Sequence, residues 1–121
     1  MSPEENKAPE VLNIKTPIDI HVPTHNNNHL TVQCINNLFA YTQRPFHLII
    51  TDDSTDGVTP EYFKKLRKEH DNITYIYNQE GYKCGNQFFN DALKRCKYDF
   101  MATVMNSVQV QPEWDLIPVE V

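Results

Sequence analysis

With 121 residues, 40% of them hydrophobic, the chain is long enough for one hydrophobic core and too short for two, and wholesale disorder is excluded. A formal net charge of −5 opposes a nucleic-acid groove, because a phosphate backbone needs a basic stripe. The one cluster of cations, Lys64, Lys65, Arg67 and Lys68, reads as the solvated face of a helix.

Residues 1–17 are polar, carry Pro3, Pro9 and Pro17, and show no sustained period, so they read as a flexible leader to a single domain over 18–121. The leader has neither the basic nor the apolar region of a secretory signal, and no apolar run approaches the ~20 residues of a membrane span. A cytoplasmic protein without a transmembrane segment is expected. Cys34, Cys84 and Cys96 lack C-x-x-C spacing, which points to buried reduced thiols rather than a disulfide framework or a zinc knuckle.

Ile18 to Val22 alternates apolar residues with Asp19 and His21, as a strand with one face more polar than the other, and Pro23 stops it. Asn28 is the expected N-cap of an amphipathic helix over Leu30 to Tyr41. Phe46 to Thr51 is a second strand, so the first unit is βαβ, with parallel strands and a right-handed crossover. The unit repeats. Thr59 caps, Pro60 takes the first helical position, the helix runs to about His70, and Glu61 and Lys65 are spaced for a surface ion pair. Ile73 to Tyr77 is a third strand. A third helix over Asn86 to Cys96 buries Phe88, Phe89, Ala92, Leu93 and Cys96, with Asp91 and Arg95 spaced for a surface pair. Phe100 to Val104 is a fourth strand, followed by a turn at Gln111 to Trp114.

Four parallel strands with three helices make a three-layer, Rossmann-like α/β domain, and the loops after the strands converge on one edge. They carry His25 and Asn26, then Asp52 and Asp53, then Glu80 and Lys83, then Asn106 and Ser107. A buried strand that ends in the paired carboxylates Asp52 and Asp53 is a natural place for a ligand site.

Gly57, Gly81 and Gly85 are the only glycines, and none follows the first strand, so the dinucleotide fingerprint and the P-loop are both absent. Asp52, Ser54, Asp56 and Gly57 resemble the start of a calcium loop, but Phe63 stands where its bidentate Glu is needed. His25 and His29 have metal-like spacing without the Glu of H-E-x-x-H. No Ser, His and Asp arrangement can be assembled with any specificity, and a receiver domain would carry its acidic pair after the first strand rather than the second.

Five ordered landmarks carry a resemblance. Ile20 to Asn26 resembles the strand and P-T-Y-N opening of family 2 glycosyltransferases, and Ile49 to Gly57 resembles their V-V-D-D-G-S-T-D-G segment with one residue missing. Gly85 with Asn90 to Leu93 is similar to the G-x-x-x-x-N-x-G-L helix, with Ala92 in place of Gly. Tyr98 to Phe100 and Gln111 to Trp114 match the flanks of the fourth strand, so the resemblance runs from about Ile18 to Trp114.

The resemblance implies the donor-binding half of a GT-A fold and a nucleotide-diphospho-sugar donor, a UDP-sugar being favoured. Pro23 and Thr24 would line the nucleoside pocket, Asp52 and Asp53 would receive a base N–H, and Asn26, Lys83 and Asn106 would complete the donor site. An ionised carboxylate is an acceptor only and suits that role. The family's metal-binding D-x-D falls on Met105-Asn106-Ser107, where Ser107 takes the place of the Asp that holds Mg²⁺ or Mn²⁺. The catalytic base of an inverting transfer belongs to a second half of the family fold, and no residue takes that role here. The expectation is therefore a glycosyltransferase-like domain, or a catalytically degenerate member that binds the donor or a partner. The fourth strand would leave an open edge for a second copy or another protein.

Overall fold

Four segments rich in β-branched residues form one parallel sheet: β1 (Ile18–Thr24), β2 (Phe46–Asp52), β3 (Ile73–Tyr77) and β4 (Met101–Thr103), in the order β3-β2-β1-β4. They are joined by α1 (Asn28–Tyr41), α2 (Val58–Glu69) and α3 (Gly85–Leu93), and a 3₁₀ turn at Trp114–Leu116 follows. The structure is a computed structural model and describes residues 16–78 and 85–116. Most of the expected leader, the part of the third loop that holds Glu80, Lys83 and Cys84, and residues 117–121 lie outside the described residues.

The strand order fixes the layers. From β1 to β2 to β3 the chain steps in one direction, and after α3 it returns to the far side of β1. With right-handed crossovers, a reversal of direction puts α3 on the sheet face opposite α1 and α2. Burial agrees: Ile20, Val22, Leu48 and Ile50 pack with Cys34, Ile35 and Leu38 of α1 and Phe63 of α2 in the main core. Ile49, Phe88 and Ala92 are buried outside that cluster, where α3 packs on β1 and β2.

The polar positions of β1 differ from expectation. Asp19 and His21 are buried as fully as Ile20 and Val22, because α3 packs over their face and β4 flanks β1 in the sheet. Asp19 is satisfied internally: its carboxylate lies 2.7 Å from His47 Nδ1 and accepts the backbone N–H groups of Lys97 (3.0 Å) and Tyr98 (2.8 Å). The carboxylate, an acceptor only, takes the hydrogen bond from His47 Nδ1–H, and Nε2 on the other side of the ring is hydrogen-bonded with the Thr74 hydroxyl at 2.7 Å. One polar chain thus crosses β1, β2 and β3 and reaches the segment between α3 and β4. On the other side of the sheet, Asp115 accepts the N–H groups of Gln43 and Arg44, each at 2.8 Å, and Trp114 Nε1 donates to Thr42 Oγ1. These bonds tie the chain after β4 to the end of α1.

Helix ends also differ. α1 begins at Asn28 itself, and the N-cap is Asn27, a left-handed residue (φ 55) whose carbonyl accepts from Leu30 and Thr31. α2 is capped from outside: Gly57 (φ 73) makes the turn that L-residues resist, and the Asp56 carboxylate accepts Thr59 N–H (2.9 Å) and Oγ1–H (2.8 Å), so Thr59 lies inside the helix. Glu61 faces Lys64, at 3.7 Å, rather than Lys65. α3 ends at Leu93, before Cys96, and it seats on the sheet through Phe88 and Ala92, one turn apart. The neighbouring row, Phe89 and Leu93, remains exposed. Burial pushes the Cys34 thiol up to about 11, so it stays a protonated core residue. Among the described residues no helix is long and apolar enough to cross a membrane.

Replacing Asp19 with Asn puts an NH₂ group where backbone donors already converge. The Asp19→Asn protein is expected to lose about 2 kcal/mol of stability, the scale of hydrogen bonds to a charged group, read as a fall in the urea unfolding midpoint.

Candidate functional site

In open α/β sheets, ligands enter where the strand order reverses, beyond the carboxyl ends of the strands. That point lies between β1 and β4, and a cavity of about 370 Å³ opens there. β1 and its loop supply His21, Pro23, Thr24 and His25, and β4 and its loop supply Thr103, Met105 and Asn106. α3 adds Phe88 and Phe89, and the loop after β2 adds Asp53. The walls are largely apolar.

The two adjacent acids are separated by the pleat. Successive side chains of a strand point to opposite faces. Asp52 follows Leu48 and Ile50 to the α2 side, is fully buried, and does not line the cavity. Its Oδ1 accepts the Ser54 N–H (2.9 Å) and its Oδ2 the Tyr75 hydroxyl (2.6 Å). Burial, and then the bond to Asp52, hold the Tyr75 pKa well above its ordinary value, so its proton remains available to donate. Tyr75 in turn stacks on Phe63 at 5.4 Å. Asp53, on the other face, is buried and lines the cavity, with Oδ1 2.8 Å from Nδ1 of the half-exposed His25.

Asn26 ties three loops together. Its backbone N–H donates to Ser54 Oγ at 2.7 Å, and its side-chain carbonyl accepts the N–H groups of Thr55 (2.8 Å) and Asp56 (3.2 Å), all from the β2 loop. Its amide nitrogen donates to His25 Nε2 at 3.2 Å, which leaves Nδ1 of a neutral ring as the donor to Asp53. Its backbone carbonyl accepts from Asn106 Nδ2 (3.1 Å) on the β4 side and from the Thr31 hydroxyl (3.2 Å) in α1. The left-handed backbone of Asn26 (φ 53) is one that Asn tolerates better than most residues. Thr24, also buried, donates to Val22 O at 3.3 Å, and its own carbonyl accepts Asp53 N–H.

Pro23, Thr24, Asp53 and Asn106 of the sequence-derived set therefore meet at one cavity. Asn26 lies behind its rim, Asp52 on the opposite face, Ser107 is exposed outside it, and Lys83 is outside the described residues. The donor set does not fit Mg²⁺ or Mn²⁺, which want carboxylate oxygens. Met105-Asn106-Ser107 carries none, and the Asn106 amide nitrogen is bonded to Asn26 O and to Thr31 Oγ1 (2.9 Å). Asp53, the one carboxylate on the wall among the described residues, is engaged by His25. No group of three or more His, Cys, Asp or Glu among the described residues is placed to hold a metal ion.

The residue the sequence reading passed over is His21. It is buried at 1% exposure and lines the cavity, with Nε2 2.9 Å from Thr51 Oγ1. Burial lowers its pKa from 6.5 to about 4, so the ring is neutral at pH 7. Its one sequence signal was a histidine between Ile20 and Val22 in a strand, two residues before Pro23.

Such a parallel sheet, with helices on both faces and its polar loops gathered at a switch point, defines a Rossmann-like α/β domain. The chain belongs to glycosyl transferase family 2, whose model matches residues 19–116. Among solved structures it is similar to residues 1–349 of TarS from S. aureus, at 22% identity over 81% of this chain and 29% of that one, with a TM-score of 0.69. A crystal structure of the same TarS segment in complex with UDP matches at 24% identity over 76% of this chain and 28% of that one, with a TM-score of 0.63. Mannosyltransferase PcManGT from Pyrobaculum calidifontis, in complex with GDP-Man and Mn²⁺, matches at 19% identity over 79% of this chain and 29% of that one, with a TM-score of 0.68. These likenesses establish the GT-A fold, and the chain spans less than a third of each of those structures. No curated protein matches.

Two outcomes follow from the geometry. The Asn26→Gly protein keeps the left-handed backbone and loses the side-chain bonds, so the Thr55 and Asp56 amides are expected to exchange hydrogen about tenfold faster, a loss of about 1.4 kcal/mol. For His21, the folded pKa of about 4 lies below the unfolded 6.5, so between those values the unfolded chain binds more protons and stability rises with pH. Urea midpoints should show this contribution complete above pH 6.5 and falling by about 3 kcal/mol toward pH 4, a slope absent from the His21→Phe protein.

Proposed function

We propose that this domain binds the nucleotide of a nucleotide-diphospho-sugar donor, with a UDP-sugar favoured, in the cavity between β1 and β4, in the service of glycosyl transfer. The observation that carries this reading is the meeting of three family-like segments at one switch-point cavity: Pro23 and Thr24, Asp53, and Asn106. Asp53 is the acceptor for a base N–H, and apolar side chains flank the space that a flat ring would fill. Asp52 serves at one remove: bonded to Ser54 and Tyr75, it holds the turn that aims Asp53. The bound UDP of the TarS complex and the GDP-Man of the PcManGT complex make both bases worth testing.

A second reading, a domain that holds the donor without transferring its sugar, is favoured by one feature. The D-x-D position offers Asn106, bonded inward, and Ser107, so a divalent cation finds no carboxylate there against a diphosphate. The general base of an inverting transfer is not assigned to any described residue.

Calorimetric titration of UDP, GDP and UDP-sugars with and without Mn²⁺ tests both readings. Binding of UDP that Mn²⁺ changes less than about twofold is expected, and Asp53→Asn should weaken it about tenfold, or 1.4 kcal/mol. No binding of either nucleotide would sink the donor-site reading, and a large Mn²⁺ enhancement would sink the metal-independent form of it.

A further inference from the structure

β4 ends the sheet on one side, and among the described residues no strand pairs with its outer edge. The ladder with β1 uses alternate residues: Asp19 N–H donates to Phe100 O at 2.9 Å, and Val104 N–H donates to His21 O at 2.8 Å. The same alternation turns the N–H and C=O of Ala102 toward β1 and those of Met101 and Thr103 outward. Exposed edges are commonly blunted by Lys or Pro, and β4 carries neither.

The surroundings of this edge are neutral and apolar. From Phe100 to Pro112 no residue is charged, in a chain that is 22% Asp, Glu, Lys and Arg. Phe100 and Met105, exposed at 40% and 52%, bracket the strand, and Phe89 of α3, exposed at 44%, lines the same cavity as Met105. The other edge, β3, is entered through Glu69, His70 and Asp71 and lacks such a stretch. A two-fold axis brings a surface against its own copy, so that surface must be uncharged or self-complementary. Two copies at a net charge of −5 repel each other, and an uncharged strip lets them meet without setting acid against acid.

We propose that β4 is the contact of a two-fold symmetric dimer, pairing antiparallel with β4 of a second copy so that one sheet runs through both. Met101 then exchanges hydrogen bonds with the partner's Thr103, and Ala102 faces Ala102 of the partner subunit at the axis. Phe89, Phe100 and Met105 add the apolar area that a ladder of three residues lacks. This contact is independent of what the cavity binds.

Sedimentation of the full chain over about a hundredfold range of concentration tests the proposal, the mass rising from one chain to two and no further. Thr103→Pro removes an outward donor and spares the β1 ladder, so association about tenfold weaker is expected, with the urea midpoint of the dilute protein unchanged. At a non-hydrogen-bonded antiparallel position the two Cα atoms lie about 4.5 Å apart, within reach of a disulfide. Ala102→Cys should therefore form a covalent dimer with oxidised glutathione, and Val58→Cys, on an exposed site of α2, should not. A single-chain mass at every concentration overturns the proposal, as does a dimer that folded Thr103→Pro leaves intact. Crosslinking through Ala102→Cys no greater than through Val58→Cys also overturns it, and it decides alone should Thr103→Pro fail to fold.

Discussion

The buried carboxylate of Asp19 holds the geometry of the binding edge from the opposite end of the sheet. A carboxylate taken out of water is costly unless its lone pairs are filled, and here the donors come from separate parts of the chain: the His47 ring in β2, and the amides of Lys97 and Tyr98 after α3. The Asp19 backbone N–H adds a bond to Phe100 O at 2.9 Å. β4 is only three residues long, too short to define its register through its own ladder, and this junction seats it beside β1. The register then carries Met105 and Asn106 to the far wall of the cavity. Without the junction, the switch point would lose one of its two sides.

Much of the architecture was legible because the signals were local. Apolar β-branched runs closed by turn residues marked the strands, and the crossover rule made them parallel and brought their loops to one edge. The order of the strands was not legible, because no local pattern says on which side of β1 the fourth strand adds. The burial of Asp19 was hidden for a similar reason: its partner His47 lies 28 residues away, and a polar residue alternating with isoleucines looks the same whether it faces water or a satisfied network. The starts of α1 and α2 were misplaced because left-handed residues, Asn27 and Gly57, make turns that shift the caps by one and two positions.

The division of labour between Asp52 and Asp53 was, by contrast, available in the sequence. Adjacent residues at the end of a strand point to opposite faces, so one cavity could receive only one of the pair. Counting from the core residues Leu48 and Ile50 assigns Asp52 to the main core side and Asp53 to the α3 side, as found. The same parity puts His21 with Asp53. What alternation could not supply was the partner of each acid, since Tyr75 and His25 are reached only through tertiary structure.

The knot at Asn26 has a thermodynamic consequence for any occupant of the cavity. Loops that must be immobilised on association subtract their ordering entropy from affinity, and this mouth is already laced to the β2 loop, to Asn106 and to α1 before a guest arrives. Little of the attraction is then lost to stiffening the host along these three sides. The same lacing sets a size limit, because a bulkier guest would have to undo several bonds of one residue at once, so selectivity by girth comes with the rigid rim.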